Sequence, residues 1–330
     1  MHFPFPALLI DIGGTNVRMA CQTTPGAPLS VPVHLKTGTY PGLAEAVRAS
    51  PFGKDKPRSI IACGAGPVVG RTLQLTNAPW LINGPEVASA LGLDQGLLLN
   101  DFEAQALSLP AIEPGWTLEI GPALPPASGP RVILGPGTGL GIAALIEVGG
   151  RYVPLASEAS HLDFGPQEPD EWAVFPYLER AHGRISTESV MSGPGLARLH
   201  RARCAAQGLP VPMCDGASVG AQALANPQGQ EAATVRLFWR QIARFAGDMA
   251  ITYLATGGVT LAGGILPQLA GLLDARAFRT AFEAKAPVDA LTRRIPVRLV
   301  TTPDVVLAGM AAIATAPDRY EIDYCARSWR

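Results

Sequence analysis

The chain has 330 residues, enough for about two domains whose cores need no disulfide staples. Hydrophobic residues make up 48% and charged residues 16%, and 36 glycines with 31 prolines stay below the share that marks low complexity, so the class is ordinary globular. With 26 basic against 27 acidic residues the net charge is −1, which excludes the broad positive field that a nucleic-acid partner requires.

Ala7–Asp11 is a continuous apolar run that ends in an acid and Gly13-Gly14, which predicts a buried strand entering a tight turn. Asn16–Cys21 follows with apolar residues at alternate or adjacent positions before Pro25-Gly26, so a second strand and a hairpin are expected. A helix is predicted over Leu43–Ala49, a strand over Ser59–Cys63, a loop over Gly64–Gly70 and a short helix over Pro85–Leu91 with Pro in its first turn. Gly96–Leu99 reads as a strand, followed by Asn100-Asp101 and a helical pattern in Phe102, Ala106 and Leu109 that Pro110 ends. The Pro- and Gly-rich stretch from Glu113 to Pro130 is the expected domain boundary. A second apolar strand, Val132–Leu134, then runs into a glycine turn, Gly135–Gly141, and a returning strand, Ile142–Ile146. Strand, glycine turn bearing a Thr, and strand thus occur once in each half, as in a duplicated α/β architecture.

Further helices are predicted over Glu171–Arg180, Pro194–Ala206 with Ser192 as cap, and Ala232–Leu254. Met249–Leu273 has no charged residue and could span a bilayer by length, but Gly257-Gly258, Gly263-Gly264, Pro267 and Gly271 argue for a buried helix, a glycine turn and a second helix. No membrane is therefore expected as a partner. The start, Met1–Pro6, has no Lys or Arg before its apolar run and does not read as a signal peptide. Five cysteines, Cys21, Cys63, Cys204, Cys214 and Cys325, never form a C-x-x-C pair, which argues against a zinc site and for reduced thiols in a cytoplasmic protein.

Three glycine turns follow apolar segments, at Asp11–Asn16, Gly135–Gly141 and Gly263-Gly264. Such turns bring backbone N–H groups close to an anion, the usual material of a phosphate cradle. They are neither of the two commonest nucleotide motifs: the one Gly-Lys pair, Gly53-Lys54, precedes Asp55, and neither of the first two turns contains G-x-G-x-x-G. Asp101, at the end of a strand, is placed either to take a proton from a hydroxyl nucleophile or to cap the following helix. Glu158-Ala159-Ser160-His161, Asp163 and Glu188 offer the donors and acceptors that suit a polyhydroxylated ligand, and would look the same in an exposed loop.

Six motifs in order resemble the bacterial ATP-dependent glucokinases of the hexokinase and actin-like ATPase superfamily. They are Asp11–Arg18, Leu75–Trp80, Leu99–Ala104, Gly135–Gly141, Ser192–Leu196 and Gly257–Pro267. The resemblance implies two α/β domains of the ribonuclease H-like fold with mixed sheets, flanking helices and an active-site cleft. The small domain is expected over 1–110 plus 304–330, completed by a helix near Val305–Ala314, and the large one over 111–303. Residues beyond Pro317 carry no reading.

The same resemblance implies that Asp101 is the catalytic base and that Asn100, Glu158, His161, Glu188 and Asn77 hold the sugar. It implies that Asp11 lies by hydrated Mg²⁺, that Gly13, Gly14, Thr15, Asn16, Gly137, Thr138 and Gly139 form phosphate turns, and that Gly263 and Gly264 form the nucleotide-side turn. The implied activity is phosphorylation of glucose by ATP at the 6-hydroxyl, giving glucose 6-phosphate and ADP, in a homodimer. A kinase for another hexose or amino sugar and a non-catalytic sugar sensor are the alternatives. The family usually has Glu-Gly-Gly-His where this chain has Glu158-Ala159-Ser160-His161, so two added side chains would crowd a backbone-tight loop.

Overall fold

The computed structural model describes residues 2–76, 78–125 and 127–329. The chain divides into two compact units, one made of residues 1–114, 145–155 and 302–330, the other of 115–144 and 156–301.

The first unit is built on a six-stranded mixed sheet. Ala7–Ile12 lies at its centre, parallel to Ser59–Gly64, which is parallel in turn to Gln95–Asn100. On the other side, Asn16–Gln22 and Val33–Lys36 continue the sheet as an antiparallel meander. The three parallel strands are buried along nearly their whole length, as expected of a sheet covered on both faces. Leu8, Ile10 and Ile12 point to one face, where they join Val17, Met19, Ile60, Val47 and Trp80 in the core. Helix Val305–Thr315 packs on the central strand and against helix Asp101–Ser108.

The register places Asp11, Cys63 and Leu99 in one row across the parallel strands, and Ile12, Gly64 and Asn100 in the next. The carboxyl ends of the strands therefore form one edge, where open α/β sheets bind ligands.

The second unit repeats the plan. It holds the parallel strands Arg131–Pro136, Val259–Leu261 and Val297–Val300, with Thr117–Glu119 antiparallel beside the last. Helix Gln230–Thr252 is its longest, with Val235, Phe238, Trp239, Ile242, Phe245, Ala246 and Met249 buried at the three- and four-residue spacing of an amphipathic helix. Ser192 caps helix Gly193–Ala206 by accepting from the Gly195 N–H at 3.1 Å.

Several elements differ from the expectations above. The helix predicted to reach Arg180 is Pro169–Val174, because Pro176 cannot donate and crowds the preceding turn; a 3-10 turn, Phe175–Tyr177, follows. Met249–Leu273 holds a strand, Val259–Leu261, where a turn and second helix were expected, and only a 3-10 turn at Ala270–Leu272. Among the described residues no helix is long and apolar enough to cross a membrane. The expected boundary stretch contributes the edge strand Thr117–Glu119, and the expected loop after Gly64 contains Val68–Val69, paired with Thr72–Gln74. Residues 324–329 form a helical turn, Tyr324–Arg327, and a strand, Ser328–Trp329, antiparallel to Gln95–Asn100 at the sheet edge.

Candidate active site

In the first unit, Asp11 stands at the end of the central strand, and Arg18, directly opposite it on the neighbouring strand, donates to its Oδ2. Arg18 also donates to the Pro303 carbonyl oxygen. Cys63 Sγ lies 3.6 Å from Asp11 Oδ1. Burial, together with the negative charge of Asp11 and Asp101, pushes the Cys63 thiol well above its usual range, so it stays protonated and donates to Asp11. Arg18 has a sequence signal: the four residues between Ile12 and Val17 make a short hairpin connection, and that register sets Arg18 opposite Asp11.

The turn after Asp11 leaves Gly14, Thr15 and Asn16 exposed. It is tied down from behind. Thr37 donates from its hydroxyl to the Gly13 carbonyl at 2.8 Å and from its N–H to the Thr15 carbonyl at 2.9 Å, while Lys36 Nζ donates to Asn16 Oδ1 at 2.8 Å.

Asn100 and Asp101 take separate roles. Asn100 is the helix cap: its Oδ1 accepts from the Phe102 N–H at 3.0 Å and the Glu103 N–H at 3.2 Å. Its Nδ2 donates to the Gly66 carbonyl at 3.1 Å, and Glu103 accepts from the Asn100 N–H, which completes a capping box. Asp101 is the first helical residue, and its carboxyl is left out of the cap. Burial pushes that carboxyl up to about 6, against the lowering effect of the Phe102 N–H and with a further upward push from the charge of Asp11. A half-buried carboxylate with this affinity for a proton suits a general base near neutral pH.

In the second unit, Glu158 and His161 bracket a 3-10 turn, with His161 Nε2 3.6 Å from Glu158 Oε2 and both side chains largely exposed. The Thr187 hydroxyl donates to the Ala159 and Ser160 carbonyls, and its N–H donates to the Leu162 carbonyl at 2.9 Å. Thr187 thereby fixes the loop and carries Glu188 beside it. Ser160 is buried in this turn and Ala159 is half-buried.

Glu188 is held against the glycine turn. Its Oε2 accepts from the Leu140 N–H at 3.0 Å, and a Cβ on Gly139 would come within 2.5 Å of the same oxygen. Behind, the turn is closed by Gly193 N–H donating to the Gly137 carbonyl at 2.9 Å, which leaves Thr138 exposed at its tip. Gly263 and Gly264 follow the neighbouring parallel strand. Gly263 has φ of +83°, and a Cβ there would meet the Pro136 carbonyl oxygen at 2.4 Å, so the two turns pack backbone on backbone.

The first unit thus gathers Asp11, Gly13, Gly14, Thr15, Asn16, Asn100 and Asp101 at one sheet edge. The second gathers Gly137, Thr138, Gly139, Glu158, His161, Glu188, Gly263 and Gly264. Asn77 lies outside the described residues.

The model of the glucokinase family matches residues 8–317. A glucokinase of Sinorhizobium medicae is 40% identical over 331 residues, covering 99% of this chain and 97% of that protein, and a glucokinase of Brucella suis is 39% identical over a similar span, covering 99% and 96%. The chain belongs to the glucokinase family. Among solved structures, a glucokinase from an Antarctic psychrotroph is similar at a TM-score of 0.83 and 29% identity, covering 94% of this chain and 99% of that one. The glucokinase of Balamuthia mandrillaris in complex with glucose shares the fold at a TM-score of 0.75 and 19% identity, covering 93% of each chain. The fold is accordingly the actin-like ATPase fold of the glucokinases and related sugar kinases, as the order of the motifs implies.

Proposed function

We propose that the chain transfers the γ-phosphoryl group of ATP to the 6-hydroxyl of glucose, with Asp101 as the general base. Family membership over nearly the whole chain supports the reaction, and the observation that carries the role of Asp101 is its exclusion from the helix cap beside it. Released from capping and holding a proton up to about pH 6, its carboxylate orients the acceptor hydroxyl and takes its proton as the phosphoryl group leaves ADP. Such help is worth roughly 10²–10⁴ in rate.

Glu158, His161 and Glu188 supply the other hydroxyl contacts in this reading. Glu188 keeps one oxygen on the Leu140 N–H, which leaves the other for the sugar. Asn100 uses its Oδ1 in the cap and gives one amide hydrogen to Gly66, and its side chain also faces the Asp101 carboxyl. The turns at 13–16 and 137–139 cradle the phosphates through backbone N–H groups other than those of Gly13 and Gly137, which donate to the Asn16 and Gly139 carbonyls, and Gly263-Gly264 sits on the nucleotide side.

Mg²⁺ fits the donor set as a hydrated ion. Among the described residues no three acidic, His or Cys side chains gather into a cage, whereas Asp11 presents an Oδ1 whose one neighbour is a thiol. Asp11 would hold the ion through water, and the ion would supply neutralisation of phosphate charge. We read the protein also as a cytoplasmic homodimer, the dimer on the precedent of the family and the location on five unpaired cysteines.

ADP release from MgATP, followed with glucose, fructose, mannose, galactose, glucosamine and no sugar, tests the reading. Strong turnover with glucose is expected. Turnover with another sugar in place of glucose would move specificity to the Ala159-Ser160 loop, and silence with every sugar alongside measurable sugar binding would establish the sensor.

A further inference from the structure

Two independent contacts connect the segment after Pro317 to the strand that ends at Asn100 and to the helix that begins at Asp101. The first is backbone pairing: Ser328 and Trp329 lie opposite Leu97 and Gly96 on the strand that ends at Asn100. Trp329 is 2% exposed, and a Cβ on Gly96 or Gly84 would come within 2.0 or 2.3 Å of its ring, so the two glycines make the slot that the indole fills. The second is an ion pair. Arg327 Nη1 lies 2.6 and 2.7 Å from the two carboxylate oxygens of Glu103, in a partly buried position where the Glu103 side chain is 13% exposed.

Glu103 is the residue whose Oε2 accepts the Asn100 N–H in the capping box. A glutamate side chain at a helix start has several rotamers, only one of which reaches back to the cap. By engaging both oxygens, Arg327 holds Glu103 in that rotamer. The rotamer fixes the backbone of Asn100, and Asp101 is the next residue.

We propose that Arg327 is a positioning residue for phosphoryl transfer, acting through Glu103 and the Asn100 cap to hold the Asp101 carboxylate where it meets the acceptor hydroxyl. This rests on the reading of Asp101 as the base. Displacement of a reacting group by about 1 Å can cost on the order of 10²-fold in rate, so a loosened cap is expected to lower turnover without weakening substrate binding.

The test measures kcat and the KM for glucose and for ATP in Arg327→Ala, Arg327→Lys, Glu103→Gln and the double variant Glu103→Gln/Arg327→Ala, in the full chain and well below each melting temperature. The expected result is a fall in kcat of about tenfold for Arg327→Ala, with both KM values within about threefold. Arg327→Lys is expected to recover most of that loss. Glu103→Gln keeps an acceptor for the Asn100 N–H and removes the ion pair, so the double variant is expected to fall no further than the worse single one.

Native kcat in Arg327→Ala, KM values that rise in step with the fall, or losses that multiply in the double variant would each overturn the proposal. If Arg327→Ala does not fold, the Glu103→Gln and Arg327→Lys comparison decides: equal and native kcat in both overturns it. Asp101→Asn separates the two claims. Native turnover in Asp101→Asn removes the base reading itself, whereas its loss together with native turnover in Arg327→Ala removes only the positioning role.

Discussion

Asp101 opens a helix whose cap is its neighbour, and that division of labour sets what its removal should do. Asp101→Asn is expected to lower kcat at least about a hundredfold while glucose binding stays within about tenfold, as steady-state kinetics and calorimetry would show. In the native chain kcat/KM is expected to fall as the pH drops through about 6, where the buried carboxyl takes up its proton. The stability consequence has the opposite sense from that of a salt-bridged acid. A carboxyl whose folded pKa lies above its unfolded value costs nothing below about pH 4, and its cost grows as the pH rises to about 6 and then stays. Asp101→Asn should therefore melt increasingly above the native chain between pH 4 and 7, by the equivalent of about 1 kcal/mol or more at pH 7; a gap independent of pH would refute the buried-charge account. The sequence alone left one acid with two readings, because Asn and Asp both cap helices. The decisive signal was Glu103, three residues after Asn100, which marks Asn100 as the cap. Arg327 could not be found that way, since its partner lies 224 residues earlier in the chain.

At the scale of elements, the glycine turns are legible where a long apolar strand leads into them. Ala7–Ile12 and Arg131–Pro136 lie within a residue or two of their expected starts and ends, whereas Val259–Leu261 is three residues long and hides in an apolar run that periodicity cannot assign. The segment after Pro317 was unreadable for a related reason: two strand residues and one helical turn carry no period, and their structure comes from the slot that Gly84 and Gly96 leave for Trp329. The turn at Gly263 gives a test at this scale. Its positive φ and its contact with the Pro136 carbonyl mean that Gly263→Ala should destabilise the protein by at least about 1–2 kcal/mol and raise the KM for ATP more than that for glucose. Gly264, with nothing within 4 Å of its Cβ position, is the control: Gly264→Ala should leave the melting temperature unchanged. Equal melting of the two variants would mean that the backbone contact is dispensable.

For the whole molecule, the residues assigned to one reaction are divided between two units. Asp101 and Asp11 belong to the first, and Glu158, His161, Glu188 and the turn at 137–139 to the second. The division governs how the protein is made. The chain passes between units at 114/115, 144/145, 155/156 and 301/302, and the first unit includes both the earliest and the latest residues. On the ribosome, the parallel strands through Asn100 emerge early, but helix Val305–Thr315 and strand Ser328–Trp329, which cover and extend their sheet, emerge last. The first unit must therefore wait, partly folded and with one face and one edge of its sheet uncovered, while the whole second unit is synthesised. At roughly 5–20 residues per second that wait lasts on the order of ten seconds or more, which makes the nascent chain a candidate client for chaperones at its beginning and not at its end.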